Sequence, residues 1–505
     1  MGIGKCPPPL PVCGEFMRLH AVAPQNKWLT FSLVAVAVFM STLDGSVVNL
    51  ALPAIMKDLG ESLTAVGWVL MAYLLTVSAL LLTFGRLSDI LGRRWVYIRG
   101  FVIFTAGSLG CGLAGSAAVL IAVRSFQGIG AAMLMACSQA MIIDAFPASE
   151  RGKALGILGT VVASGLMTGP ALGGVILEYF SWRMIFFINV PIGIVASSAA
   201  VFLLRRERPD ILDRSSGFDW AGAVLTAICF SAFLMVLSMM QTWGYVSAKT
   251  FGVGGIFTGS LLLLIRVEQR SAAPLFEPSL LKIRMFVWPT VSSLLLFVSL
   301  YAVLFLLPFY LMNPARFSIA HSGYIMTIPF IVLSLMAPFS GVMSDRIGAR
   351  ILCVSGMAVM AAALWALSWL SASASLSAIT WRLALVGVGT GLFISPNTAT
   401  SMGAVPSNRR GIASSTVATA RNVGMVTGVA LSTWIFNTVF QLQNGGQAFR
   451  VYHPQLEGVF MTSFRSAMFS ACVVAVAGLC AALPGRPDKE TTGKRLTTPW
   501  HSSAV

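Results

Sequence analysis

The sequence carries little charge. Asp, Glu, Lys and Arg make up 10% of its 505 residues, whereas an ordinary soluble domain carries about 25%. Histidine is rarer still, with four residues that fall at predicted loops or helix ends, and no two carboxylates share one helix face. General acid–base catalysis needs such groups held together in one site. The chain is therefore predicted not to be an enzyme.

Phosphate-binding loops and metal-ligand clusters are also missing from the sequence. No Gly-x-x-x-x-Gly-Lys-Ser/Thr loop occurs, which argues against ATP-driven transport. The eight cysteines are scattered without the spacing of metal ligands. Most of them lie in apolar runs, where a thiol behaves as a small hydrophobe. We expect no metal and no cofactor.

Apolar residues dominate what is present. They make up 56% of the chain, and the mean hydropathy is +0.82. One soluble core could not bury so much apolar surface, so the chain is predicted to be an all-α integral membrane protein. The formal charge of +16 comes from Lys and Arg residues between apolar runs. No basic helix or aromatic-interleaved patch accompanies it, so no nucleic-acid partner is expected.

Apolar runs long enough to cross a bilayer recur fourteen times, the eighth (250–265) being short. We predict two six-helix bundles with two extra transmembrane helices between them. The predicted parts are a leader (1–28), a first bundle (29–204), a linker with the two extra helices (205–286), a second bundle (287–483) and a tail (484–505).

The loop charges predict the orientation. With the amino terminus inside, the inward loops and tails carry about 25 of the 34 basic residues, and the outward loops carry about five. Lys and Arg accumulate on cytoplasmic loops. Both termini are therefore predicted to be cytoplasmic.

Two loops repeat one another. "GRLSDILGRR" at 85–94 and "GVMSDRIGAR" at 341–350 match at the first Gly, the Ser, the Asp, the second Gly and the last Arg. Each follows the second apolar run of its half. Two parallel halves of this kind are typical of one large class of secondary transporters.

Six segments together resemble the major facilitator superfamily and, within it, the fourteen-helix drug:proton antiporters. The segments are "LDGSVVNLALP" (43–53), "GRLSDILGRR" (85–94), "RSFQGIGAA" (124–132), "GLMTGPALGG" (165–174), "SWRMIFFINVPIG" (181–193) and "SPNTATSMGAVPSNRRGIASSTVATARNVG" (395–424). The resemblance implies the major facilitator fold and multidrug efflux across the cell's inner membrane, of the kind that confers antibiotic resistance. The tenth helix lacks the second acid that some members carry, so we expect a monocationic or neutral cargo.

Asp44 lies in the middle of the first apolar run. A carboxylate at that depth costs several kcal/mol, and burial disfavours its charged form, which suits a group that binds and releases protons. We predict that Asp44 is the proton-coupling acid. The alternative is a structural role, in which it bonds to a neighbouring backbone or to Asn49, a residue that we place in the substrate cavity.

Arg124 lies about two turns inside the outer end of the fourth helix. An unpaired guanidinium there would be costly, so a partner across the cavity is expected. The resemblance implies proton transfer near Asp44, with Gln127 as an accessory hydrogen-bonding group. The alternative is an arginine that snorkels to the outer headgroups.

The repeated loops resemble the family's cytoplasmic latch, which holds the two halves together when the transporter is open to the outside. Their glycines are expected to allow tight turns and close helix approach. The alternative is that the arginines only set the topology. The residues concerned are Gly85, Asp89, Gly92, Arg93 and Arg94, with Asp345 and Arg350 as the weaker copy.

Small and polar residues mark two further helices. Gly165, Gly169 and Gly173 recur at the four-residue spacing that lets transmembrane helices touch, and Pro170 loosens the same helix. Arg421 and Asn422 interrupt the thirteenth run. We predict that the pair lines the cavity from the second half, although Arg421 could equally contact inner headgroups.

The predicted function is proton-coupled export of a lipophilic compound by alternating access. Its predicted partners are the proton, the substrate and the bilayer. Whether a periplasmic adaptor protein also binds, as it does for some relatives, is left open by the sequence. One alternative is an exporter of a specific lipid or metabolite. The other is a non-transporting membrane scaffold or sensor, in which Asp44 would be dispensable.

Overall fold

The computed structural model describes residues 27–147, 150–204, 220–244, 246–270, 280, 282–406 and 410–484. This part of the chain folds into α-helices without a β-strand. The helices are α1 (Lys27–Leu59), α2 (Leu63–Leu91), α3 (Arg93–Leu113), α4 (Ala117–Ala145), α5 (Arg151–Tyr179), α6 (Met184–Phe187), α7 (Asn189–Leu203), α8 (Trp220–Trp243), α9 (Ala248–Arg270), α10 (Arg284–Met312), α11 (Ile319–Ile347), α12 (Ala349–Ser368), α13 (Leu376–Gly403), α14 (Arg410–Gln443) and α15 (Glu457–Ala482).

The fourteen predicted helical segments are present. Thirteen are long and apolar enough to cross a membrane, with the short α6 and α7 forming one of them. The fourteenth is α8, whose described apolar stretch is Ala221–Phe233. The eighth segment, α9, runs for 23 residues and is longer than the sequence indicated. The predicted leader up to residue 26 and the tail from residue 485 lie outside the described residues.

The two halves pack in the same pattern. In the first half, α1 packs on α5, α4 packs on both α2 and α3, and α7 packs on α3. In the second half, α10 packs on α14, α13 packs on both α11 and α12, and α15 packs on α12. The two sets correspond one to one, as expected for parallel repeats. The domain limits themselves stay predictions.

The extra helices α8 and α9 form a hairpin beside the seam between the halves. They pack on one another, and α8 also touches α2 of the first half and α14 of the second. The parts of the predicted linker at 205–219 and 271–279 lie outside the described residues.

Four equivalent helices begin with a serine cap. Ser62, Ser116, Ser318 and Ser375 precede α2, α4, α11 and α13, and each hydroxyl accepts a backbone N–H from the first turn. Such a cap satisfies a helix N–H that would otherwise have no partner. Since α2 corresponds to α11 and α4 to α13, the caps repeat between the halves. All four mark the end of the molecule where α1 meets α2, called here the α1–α2 end.

The second glycine of each repeated loop has a backbone that favours glycine. Gly92 joins α2 to α3 with a φ of +90°, and Gly348 joins α11 to α12 with a φ of +91°. Side-chain-bearing residues rarely adopt such a φ. The tight turn expected at Gly92 is therefore observed, and its copy has the same form. Together they mark the opposite end of the molecule, the α2–α3 end.

We expect Gly92→Ala and Gly348→Ala each to lower the free energy of unfolding by about 1–3 kcal/mol, the cost of a strained backbone. Gly85→Ala is the matched control because Gly85 lies within α2 and a Cβ there would meet no atom within 4 Å. That change should be neutral or slightly stabilising. Thermal unfolding of the purified proteins checks all three. Equal losses at positions 85 and 92 would contradict the assignment.

Candidate functional site

The centre of the first half holds a buried ion pair. Asp44 lies midway along α1, and Arg124 lies in the second turn of α4. Arg124 Nη1 lies 2.6 Å from Asp44 Oδ2, and both side chains are 0% exposed. The snorkelling alternative for Arg124 is wrong because its guanidinium is fully buried. The partner that the sequence analysis required for Arg124 is Asp44.

Two side-chain amides complete the set of hydrogen-bond donors around Asp44. Gln127 Nε2 and Asn189 Nδ2 donate to Asp44 Oδ1 at 3.0 and 3.1 Å. The same Gln127 nitrogen lies 2.8 Å from Ser108 Oγ. Side chains from α4 and α7 therefore meet at one carboxylate of α1, and Ser108 of α3 joins the network through Gln127. Buried charges persist in proteins where such hydrogen bonds compensate them.

Arg124 has further partners besides Asp44. Its Nη1 donates to Gln127 Oε1 at 2.7 Å, and its Nε donates to the Val69 carbonyl at 3.4 Å. The ring centroids of Tyr73 and Phe186 lie 4.2 and 5.6 Å from its Cζ atom. Aromatic faces stabilise a desolvated cation. The guanidinium thus keeps compensation on several sides, and only its Nη2 lacks a hydrogen-bond partner.

Asn49 does not take part in the network. Its Nδ2 donates to the Gly45 carbonyl at 3.5 Å, one turn back along α1, and its Oδ1 is buried without a hydrogen-bond partner. The structural alternative in which Asp44 bonds to Asn49 is therefore not what the structure has. Asp44 bonds to side chains of other helices instead.

The glycine row of α5 packs directly on α1 beside Asp44. A Cβ on Gly165 or Gly169 would collide with Thr42 or Ser46, and Ser46 Oγ donates to the Gly165 carbonyl at 3.2 Å. One turn on, a Cβ on Gly173 would lie 2.5 Å from Val47. These three glycines therefore lie where α5 approaches α1 closely.

The two halves touch near the α1–α2 end. The N–H of Leu63 donates to the Phe449 carbonyl at 3.2 Å, and Asn437 Nδ2 donates to Thr64 Oγ1 at 2.8 Å. On the other side of the molecule, Glu178 accepts the N–H of Ala320, which is in the first turn of α11, at 3.0 Å. These contacts join α2 to α14 and α5 to α11.

Towards the α2–α3 end, α5 runs past open space. A Cβ on Gly152, Gly156 or Gly159 would meet no atom within 4 Å. On α11, which faces α5 at the other end, Leu335 and Phe339 are 71% and 58% exposed. The contacts between the halves described above therefore lie near the α1–α2 end, whereas these residues of α5 and α11 towards the α2–α3 end are open or exposed.

The two arginines of the first predicted latch loop form their bonds within their own half. Arg93 pairs with Asp144 of α4 and donates to the Ala140 carbonyl, and Arg94 donates to the Val201 carbonyl of α7. Gly85 lies inside α2 with open space beside it, so it forms neither the turn nor the close approach expected.

The remaining latch residues lie at the ends of their helices. Asp89 and Asp345 are on the last turns of α2 and α11, and their side chains lie outside the described set. Arg350 is exposed at the start of α12. The latch, which concerns the conformation closed at the α2–α3 end, stays a prediction.

Arg421 and Asn422 lie away from the ion pair, on α14. Arg421 Nη2 lies 2.5 Å from Thr398 Oγ1 of α13, and its Cζ lies 5.8 Å from the ring centroid of Phe297 on α10. Asn422 is buried. Arg421 therefore points towards other helices of the second half.

Sequence reasoning misses three members of the Asp44 network, namely Asn189, Ser108 and Tyr73. Asn189 carries a usable signal, because it is an amide inside an apolar run and lies close to a proline. By itself that pattern indicates only a helix break. The other two are residue types that occur throughout apolar helices, so nothing in one sequence marks them.

Thirteen described helices that are long and apolar enough to cross a membrane, packed as two repeated bundles, are typical of a membrane transport protein. The chain belongs to the Major Facilitator Superfamily, whose sequence profile matches residues 34–429 and, in a second match, residues 289–502.

Curated relatives cover most of the chain. The riboflavin transporter RibZ of Clostridioides difficile is 35% identical over 412 residues, which is 82% of this chain and 89% of that one. The multidrug resistance protein Stp of Mycobacterium tuberculosis is 30% identical over 423 residues, covering 82% of this chain and 78% of its own.

Solved structures share the fold. A bacterial homologue of the human lysosomal transporter Spinster, in an inward-facing and occupied conformation, aligns with a TM-score of 0.67 at 14% identity. The alignment covers 92% of this chain and 97% of that one. This likeness confirms the predicted architecture of two packed helical bundles.

Proposed function

We propose that the protein exports lipophilic compounds in exchange for protons, by alternating access, and catalyses no covalent reaction. The observation that carries this proposal is the buried network in which Asp44 accepts hydrogen bonds from Arg124, Gln127 and Asn189. A membrane-embedded carboxylate suits reversible proton binding when its counter-ion has other partners as well.

The network supports a specific proton step. When a proton binds at Asp44 Oδ2, the charge that holds Arg124 is cancelled. Arg124 then retains Gln127 Oε1, the Val69 carbonyl and the Tyr73 ring. In the protonated state the buried arginine therefore keeps these neutral partners but loses its counter-ion, so proton binding at Asp44 changes how well Arg124 is compensated.

Orientation and location follow from the loop charges. We place the α1–α2 end outside and the α2–α3 end, with both termini, in the cytoplasm of a cell whose inner membrane holds the protein. The described conformation is then closed to the outside and open inward. The latch loops would join when the halves rock the other way.

The cargo we propose is lipophilic and neutral or singly charged. The presence of a multidrug resistance protein among the relatives supports the proposal that the cargo includes a broad range of compounds. Asp44 is fully buried and already engaged by three donors, so of the two expected charge states the neutral one fits better. A specific metabolite is the second candidate, favoured by the 35% identity to a riboflavin transporter.

Proteoliposomes test the proposal. With an acidic lumen, the protein should accumulate the neutral dye dansylglycinamide or the monocation ethidium, and each should drive protons out of the lumen as reported by trapped pyranine. A protonophore should abolish both signals. Accumulation without proton movement, or no movement of either dye, would overturn the proposal. Competition by riboflavin, with no effect from unrelated dyes, would favour the metabolite alternative.

Closure at the outer end should depend on Gly323. A Cβ there would collide with the Pro170 carbonyl and lie 2.9 Å from Gly174 Cα, and neither backbone group can rotate away. We expect Gly323→Ala to separate α5 from α11. Overpacking costs about 1–3 kcal/mol, which shifts a two-state population by about 5- to 150-fold.

Spin labels measure that shift. In a cysteine-free background, labels at Tyr179 on α5 and Leu442 on α14, which are 76% and 80% exposed, should give longer distances in Gly323→Ala. The control is Gly159→Ala, on the open part of α5, which should leave the distance distribution of the parent. Identical distributions in all three proteins would contradict the gate assignment.

A further inference from the structure

The second half is nearly free of acidic residues. Residues 287–483 contain two, Asp345 and Glu457. Asp345 is on the last turn of α11 at the cytoplasmic end, and Glu457 is the first residue of α15 at the outer end. Between those ends, the helices of this half offer no carboxylate to a buried cation.

Arg421 is a cation in that carboxylate-free region. It lies eleven residues, or about 16 Å, inside the start of α14. Its side chain is half-buried, its Nε is buried without a hydrogen-bond partner, and its Nη2 meets the neutral hydroxyl of Thr398. Among the ion pairs that the described residues form, none involves Arg421.

Three other arginines within the spanning helices are compensated. Arg124 has the carboxylate of Asp44. Arg382 donates to two backbone carbonyls near the outer end of α13 and stacks on Trp381 at 4.4 Å. Arg465 donates to the Ser368 carbonyl and lies 5.6 Å from the ring of Trp369. Arg421 differs because it lies deeper and because its hydrogen-bond partner is a hydroxyl rather than a carboxylate or a backbone carbonyl.

Rocking of the halves would not supply the missing charge. The helices of the first half that pack on the second are chiefly α2 and α5; α1 also touches α10, and its buried acid Asp44 is paired with Arg124. Along α2 the first acidic residue is Asp89, on its last turn, and along α5 the acidic residue is Glu178, near the outer end. Neither helix carries a carboxylate at the depth of Arg421.

We propose that Arg421 binds an anionic substituent, such as a carboxylate, on the lipophilic cargo. The guanidinium presents a planar fork that matches carboxylate geometry, Thr398 fixes one of its nitrogens, and Phe297 lies beside it as an apolar surface for the body of the cargo. Asp44 carries the proton in the first half, and Arg421 binds the charged group of the cargo in the second half. This inference rests on the proposed export function and adds amphipathic acids to the neutral and monocationic cargo proposed above.

The direction of charge movement agrees with this assignment. In a cell that is negative inside, the membrane potential favours both the exit of an anion and the entry of a proton. Exchange of an amphipathic acid for protons is therefore driven by the potential as well as by the pH gradient. Export of a monocation would gain less from the same potential.

Three dansyl probes that share one fluorophore test the proposal: dansylglycine is anionic, dansylglycinamide is neutral, and dansylcadaverine is cationic. Binding to the full-length protein in lipid nanodiscs is followed by energy transfer from tryptophan. We expect dansylglycine to bind about tenfold more tightly than the neutral probe, and dansylcadaverine to bind most weakly. Arg421→Gln should weaken dansylglycine binding about 10–100-fold, the range for a hydrogen bond to a charged group, and change dansylglycinamide binding less than about threefold.

Two further variants separate recognition from folding. Arg421→Lys keeps the charge without the fork and should give an intermediate affinity for dansylglycine. Arg465→Gln is the matched control and should leave the ranking of probes unchanged. Equal weakening of all probes in Arg421→Gln, an unaltered affinity for dansylglycine, or no measurable dansylglycine binding to the parent would overturn the proposal.

The binding assay needs no gradient, so it separates the two proposals. If dansylglycine ranks first and proton-coupled transport fails, the export mechanism is wrong while the charge assignment at Arg421 holds. If transport is proton-coupled and the three probes bind equally, the export mechanism holds and the charge assignment is wrong.

Discussion

Asp44→Asn should bind dye with parental affinity and lose gradient-driven transport by about 100-fold or more, the contribution typical of a dedicated proton-transfer group. Asparagine has nearly the same size and can still accept from Arg124 through its amide oxygen. It cannot take up and release a proton. Proteoliposomes with an imposed pH gradient measure the loss, and dye binding without a gradient shows that the cargo site survives.

Asp58→Asn is the matched control for that experiment. Asp58 is on the same helix near the outer end, where its carboxylate accepts from Trp182 Nε1 and Arg183 Nη1, both at 2.9 Å. It is a partly exposed clamp between α1 and the start of α6, so its loss should leave coupled transport close to the parent. Parental transport by Asp44→Asn would make Asp44 architectural and move the search for the proton carrier to Asp144 and Glu178.

Asp144 and Glu178 are weaker candidates for structural reasons. Asp144 is 59% exposed in its pair with Arg93, and Glu178 is exposed where it caps α11. Both carboxylates are exposed, so neither is a buried acid of the kind that the proposed coupling needs. Asp44 differs because its protonation changes the compensation of a fully buried arginine.

The fold was largely predictable from the sequence because lipid imposes a simple length and composition rule on each crossing. The repeated loop sequence then indicated parallel halves, and the equal φ values at Gly92 and Gly348 show why that loop repeats. The length of α9 was underestimated because its charged ends lie outside the apolar run that the rule detects.

The candidate site was predictable in part. An isolated acid and an isolated arginine in apolar runs each demand a partner, which is why Asp44 and Arg124 could be named without knowing their distance. The contribution of Asn189 depends on how α7 enters beside α3 and α1, a tertiary contact that no local pattern encodes. The prediction of a turn at Gly85 was wrong because the turn of this motif occurs at Gly92.

The packing around Asp44 suggests how the proton site connects to movement. The α5 glycines touch α1 at Thr42 and Ser46, on either side of Asp44 in the sequence. Farther along α5, the Pro170 carbonyl touches Gly323 of the second half. One helix therefore contacts both the segment that carries the acid and the outer closure, so a shift of α1 on protonation would act on α5 directly.

Arg124→Gln should destabilise the protein by about 3–5 kcal/mol, because it leaves the carboxylate of Asp44 buried without its counter-ion. Gln127 and Asn189 still donate to that carboxylate, but they carry no charge. Unfolding of the purified protein in detergent measures the loss. Transport should fail in the same variant, but that failure alone would not separate lost coupling from a damaged fold.

The double variant Asp44→Asn/Arg124→Gln separates the two effects. With both charges removed, the two introduced amide side chains can hydrogen-bond to one another, and a neutral pair of similar size costs little in a buried site. We expect the double variant to regain about 2 kcal/mol or more over Arg124→Gln alone and to remain unable to couple transport to protons. Additive losses of stability would mean that the two charges do not interact in the folded protein. Proton-coupled transport by the stable double variant would show that neither residue carries the proton.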